Sequence, residues 1–185
     1  MVGMSAPLLF LDVDGVVLPL GAEPDDLRDD LGRTLSALPA DLVWATAWEH
    51  SANIEIAPRI GLPRLPVVEW HDPTTAELAL DAHFDLHWKT RQIVQWARGR
   101  DFAWADDEVT TADQDWIAQH HPGRALVHHV RALLGLTTAD FETLRRWLRG
   151  EAEAEADGEG DGDSTGGGEG DAQDDDADER RPAAS

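Results

Sequence analysis

The chain has 185 residues, with 37 Asp and Glu against 15 Lys and Arg, a formal charge of −22. That length predicts one domain, or one domain and a tail, and the acidity counts against non-specific binding to nucleic acid. There is no cysteine, which excludes disulfides, thiolate catalysis and cysteine-held zinc.

The start of the chain lacks a basic stretch, and Leu8-Leu9-Phe10-Leu11 meets Asp12 too soon for a signal peptide. No run approaches the ~20 apolar residues of a membrane helix. A cytoplasmic protein without membrane contact is expected.

In chain order, Leu8–Leu11 is a short, wholly apolar run, as expected for a strand buried on both faces. Leu27, Leu31, Leu35 and Leu38 recur at helical spacing and predict a helix over Pro24–Leu38. Leu42–Ala45 predicts a second strand, Glu49–Ile60 a helix ending before Gly61-Leu62-Pro63, and Val67–Trp70 a third strand. Thr74-Thr75-Ala76-Glu77 has the capping-box pattern that opens a helix. Lys89–Arg98 predicts a helix ending near Gly99, followed by strands at Phe102–Ala105 and Ala125–His129. Thr137–Leu148, with Phe141, Leu144, Trp147 and Leu148, closes the domain as an amphipathic helix.

The remainder is low-complexity. Residues 151–185 hold 14 acids and 2 arginines, a net of −12, which leaves −10 for the body. With almost no large apolar side chain, such a segment cannot offset its ordering entropy. The expected organisation is a domain over residues 5–149 and a disordered acidic tail over 150–185.

Strands alternating with helices imply an α/β fold with a central parallel sheet covered on both faces, a Rossmann-like three-layer arrangement. Ligands of such sheets bind beyond the carboxyl ends of the strands. There the sequence places Asp12-Val13-Asp14-Gly15, then Thr46, then Asp106-Asp107. Gathered carboxylates repel one another unless a cation joins them, and an oxygen-only donor set suits Mg²⁺. A carboxylate can also attack phosphorus directly. Asp12 as nucleophile and Asp14 as acid and base divide that labour. Thr46 and Lys89 supply donors for the phosphate, Gly15 allows a sharp turn, and Asp12, Asp14, Asp106 and Asp107 are the candidate metal ligands.

Other uses of these residues fit the spacing less well. Gly15 stands at position four of an Asp12 loop, whereas a calcium-binding EF-hand needs glycine at six. His83 and His87 share a helical face, but no third zinc ligand has suitable spacing. Trp44 and Trp48 flank Thr46, and Trp48 is a candidate for stacking a base or ribose near the phosphate.

Leu-Phe-Leu-Asp12-Val-Asp14-Gly15, Thr46 after its strand, Lys89, and Phe-Ala-Trp-Ala-Asp106-Asp107 together resemble the four motifs of the haloacid-dehalogenase (HAD) superfamily of phosphatases, in order, over Leu8 to about Leu148. The segment Trp44-Ala45-Thr46-Ala47-Trp48 with Asn53 and Gly61-Leu62-Pro63 is also similar, more loosely, to HAD domains of multidomain RNA-repair proteins. The resemblance implies a Mg²⁺-dependent phosphomonoester hydrolase working through an aspartyl-phosphate. The short spacings between Asp14, Thr46 and Lys89 leave no room for a full cap domain. An open site favours a bulky phosphorylated substrate, with a nucleic-acid 3′-phosphate first. The alternatives are a nucleotide or small-metabolite phosphatase and a non-catalytic interaction module that keeps the fold.

Overall fold

Four parallel strands form the sheet: β1 (Leu8–Leu11), β2 (Asp41–Trp44), β3 (Phe102–Asp106) and β4 (Ala125–His129), in the order β2-β1-β3-β4. The structure is a computed structural model that describes residues 6–151. All but the first two residues of the tail expected over 150–185 therefore lie outside the described residues. Phe10 stands opposite Val43 on one side and Trp104 on the other, so the apolar run of β1 occupies a central strand.

Alternation along the strands divides the interior into two cores. Leu9, Leu11, Trp44, Ala103 and Ala105 face one side. They pack against α1 (Leu31–Ser36), α2 (Ala52–Glu55), α3 (Ala57–Ile60) and α7 (Thr138–Leu148). Leu8, Phe10, Val43, Phe102 and Trp104 face the other side, under α5 (Thr90–Ala97) and α6 (Thr111–His120). The fold is thus α/β, with helices on both faces of a parallel sheet. No helix among the described residues is long and apolar enough to cross a membrane.

Three expected elements differ. Val67–Trp70 is not a strand: only Val67 bridges Trp44. The segment bonds there through the Pro66 carbonyl and the Val68 N–H, each 2.9 Å from its Trp44 partner, and Pro66 itself has no N–H for a longer ladder. Pro24–Leu38 is not one helix but a 3₁₀ turn at Pro24–Asp26, extended backbone at Leu27, and α1. Glu49–Ile60 is a 3₁₀ turn at Glu49–Ser51 followed by α2 and α3, divided at Ile56. Pro58 lacks the N–H that would continue the ladder and sits instead in the first turn of α3. Helix α6 was not anticipated, although Thr110 and Asp113 form a capping box at its start.

Helix α4 (Thr75–Phe84) begins at the expected box, Thr74 to Glu77, yet contains no buried residue. Arg91 of α5 holds it, donating from Nη1 to Glu77 at 3.0 Å and from Nη2 to Asp81 at 2.9 Å. Helix α4 is therefore a short helical excursion, without a core of its own.

Candidate active site

The carboxyl ends of the strands set the site. Asp12 directly follows β1, Thr46 lies two residues past β2, and Asp106 is the last residue of β3 rather than the first beyond it. Strand β3 runs one residue longer than expected because Asp106 remains paired with His129 of β4. Lys89 caps the start of α5 and reaches the centre of the group. Its ammonium donates to Asp12 Oδ2 at 2.6 Å and to Asp106 Oδ2 at 2.8 Å, and Lys89 and Asp106 are only 2 % and 0 % exposed. The second oxygens are also engaged: Asp12 Oδ1 accepts the Val13 N–H at 2.7 Å, and Asp106 Oδ1 the Glu108 N–H at 3.0 Å.

Asp12, Asp106 and Asp107 each present a carboxylate oxygen within 4.8 Å of the others. Asp14 is not brought into this group. Its side chain is exposed and accepts from Trp48 Nε1 at 2.8 Å. Trp48 therefore orients Asp14. Thr46 is fully buried; its hydroxyl accepts the Trp48 N–H at 3.3 Å and its carbonyl accepts Trp70 Nε1 at 2.9 Å. Arg91 is engaged with Glu77 and Asp81 of α4. Arg59 pairs with Glu55 and Asp25. His87 Nε2 meets Glu108 at 3.3 Å, and neither His87 nor His83 belongs to the acidic group.

Asp113, fully buried at the start of α6, was not singled out from the sequence. Its carboxylate accepts from the His87 N–H at 2.8 Å, the Thr90 hydroxyl at 2.5 Å and the Thr110 N–H at 2.9 Å. It thereby fixes the turn that presents Lys89. The Thr110-x-x-Asp113 pattern was the available signal.

Electrostatics set the site's demand. Burial, reinforced by Asp106, raises the Asp12 carboxyl to about 6 despite the opposing pull of Lys89. Burial alone would lower the Lys89 pKa, but Asp106 and Asp12 outweigh it and the ammonium is held more firmly. Asp107 is also raised, by burial first and by Asp106 and Glu108. Three carboxylates against one ammonium leave two negative charges, which a divalent cation balances, and the donors are all hard oxygens. These residues fit Mg²⁺, with Asp12, Asp106 and Asp107 offering side-chain oxygens.

Gly15 makes room for this arrangement. It lies at φ +72°, and a Cβ there would overlap the Asp107 carboxylate. Gly15→Ala should push Asp107 aside and weaken Mg²⁺ binding by on the order of 10–100-fold, read by calorimetry. In the native chain, affinity should fall as pH drops through about 6, where a proton competes for Asp12. An unchanged affinity in Gly15→Ala would remove Asp107 from the cation site.

No protein-family model, curated protein or solved structure matches the chain.

Proposed function

We propose that this chain is a Mg²⁺-dependent phosphomonoester hydrolase of the haloacid-dehalogenase type, with Asp12 as a transiently phosphorylated nucleophile. The observation that carries the reading is the Lys89 ammonium bound between Asp12 and Asp106, beside Asp107, at the carboxyl edge of a parallel sheet. A buried lysine so placed binds an anion in the same pocket as the nucleophile.

Asp12 attacks phosphorus in line, forming a new P–O bond while the bond to the substrate alcohol breaks. Asp14 donates a proton to the departing oxygen. Water then attacks the acyl phosphate, Asp14 takes its proton, and Asp12 is released as the carboxylate with inorganic phosphate. Lys89 and the Thr46 hydroxyl meet the charge on the equatorial oxygens. Asp12, Asp106 and Asp107 would hold Mg²⁺, which would supply positive charge to neutralise the acids and the bound phosphate. The short, coreless α4 excursion supports an uncapped site and a substrate that brings its own bulk.

Release of phosphate from p-nitrophenyl phosphate should require Mg²⁺ and stop when the cation is chelated. No turnover with Mg²⁺ on nucleotides, sugar phosphates, phosphopeptides or 3′- and 5′-phosphorylated oligonucleotides would sink the proposal.

A further inference from the structure

Three indoles lie around the proposed phosphate position, and they are not equivalent. Trp48 is half-buried, with its N–H committed to Asp14. Trp70, also half-buried, commits its N–H to the Thr46 carbonyl. Trp88 remains 43 % exposed, unlike the buried Trp44 and Trp104. Its ring centroid is 5.5 Å from the Lys89 ammonium.

Trp88 is held in place as well as exposed. Trp70 meets it edge-on, with centroids 4.8 Å apart, and the His87 ring stands beside it at 5.6 Å, tilted by 39°. The residues on either side are tied to Asp113, which accepts from the His87 N–H and the Thr90 hydroxyl. Holding a large aromatic surface rigidly in water has a cost, and it is recovered when a flat partner stacks on it.

We propose that Trp88, braced by Trp70, is a stacking platform for a nucleobase, so that the substrate class is a nucleoside-bearing phosphomonoester. This rests on the phosphatase reading above. The terminal phosphate lies on Lys89, the ribose spans the gap, and the base covers the indole. Stacking tolerates any base, because each presents a π-face. The net charge of the body, −10, opposes a long polyanion and favours a single nucleotide or the terminal residue of a strand.

The test compares adenosine 3′- and 5′-monophosphate, a short 3′-phosphorylated oligonucleotide and glycerol 2-phosphate, which has no base. Trp88→Ala should lower kcat/KM on the base-bearing substrates by about 10–100-fold, mainly through KM. The loss on glycerol 2-phosphate should be at least several-fold smaller, and Trp88→Phe should restore most of the difference. An equal loss on all substrates would mean that Trp88 merely supports Lys89, and no loss would mean that the ring is idle; either overturns the platform. The oligonucleotide and mononucleotide arms separate a strand end from a free nucleotide. Calorimetry with Asp12→Asn and Mg²⁺ gives a readout independent of turnover. A Trp88-dependent preference for the nucleotides sustains the platform even if native enzyme hydrolyses nothing, in which case only the phosphatase reading falls. Absence of that preference overturns the platform whatever the turnover.

Discussion

Asp12→Asn should reduce turnover of any phosphomonoester by on the order of 10⁴-fold or more, because an amide oxygen does not attack phosphorus. The substitution keeps size and leaves the Lys89–Asp106 ion pair of 2.8 Å in place. It should also leave the fold intact, for a reason that can be given a sign. Asp12 is raised from 3.8 to about 6, so between those values the folded state binds more protons than the unfolded chain. Its contribution therefore turns unfavourable as pH rises through that window. A neutral amide removes that burden, so without Mg²⁺ the variant's Tm near pH 7 should equal or exceed that of the native protein. Turnover within tenfold of native would rule Asp12 out as nucleophile.

Lys89→Ala has the second-largest expected effect and acts on both chemistry and stability. The ammonium is buried with two carboxylates, so its removal leaves Asp12 and Asp106 facing each other without a counter-charge. Breaking a buried pair in this way costs about 3–5 kcal/mol. Part of that loss should be recovered by Mg²⁺ or by lowering the pH, since either one neutralises the carboxylates. The loss in kcat/KM, measured with Mg²⁺ below the Tm of the variant, should be on the order of 10²–10⁴-fold, much of it in kcat. Lys89→Arg should rescue only partly, because a planar fork does not replace a point charge in a closed space. If Lys89→Ala kept native kcat/KM while Arg59→Ala, or Arg64→Ala in the exposed segment just after α3, destroyed it, the phosphate would be held from the loop around α3 instead.

What the sequence revealed and what it hid have physical causes. The apolar runs of β1 and β3 end abruptly in acids, and a parallel sheet brings strand ends to one edge, so the gathering of Asp12, Thr46 and Asp106 was legible from order alone. Lys89 was legible because a helix leading back into β3 must start near that same edge. Side-chain direction was not legible: Asp14 lies two residues from Asp12 and Asp107 one from Asp106, yet Asp107 joins the group and Asp14 turns to Trp48. Val67–Trp70 had strand composition but only one bridging residue beside β2, and composition does not show which backbone groups find partners. The importance of Asp113 depends on a buried contact between α6 and the His87–Thr90 turn, distant in sequence. Trp88 was hidden because a tryptophan next to a lysine reads as packing until its exposure is known.

Rapid acid quench during turnover would trap the covalent intermediate on Asp12. With a phosphomonoester and Mg²⁺, the native chain should yield a peptide spanning Asp12 that is heavier by one phosphoryl group, stable in acid and cleaved by hydroxylamine, as an acyl phosphate is. The modified peptide should be absent from Asp12→Asn and from samples without Mg²⁺. Full turnover with no phosphorylated peptide at any quench time, or with the phosphoryl group on another residue, would contradict Asp12 as the nucleophile.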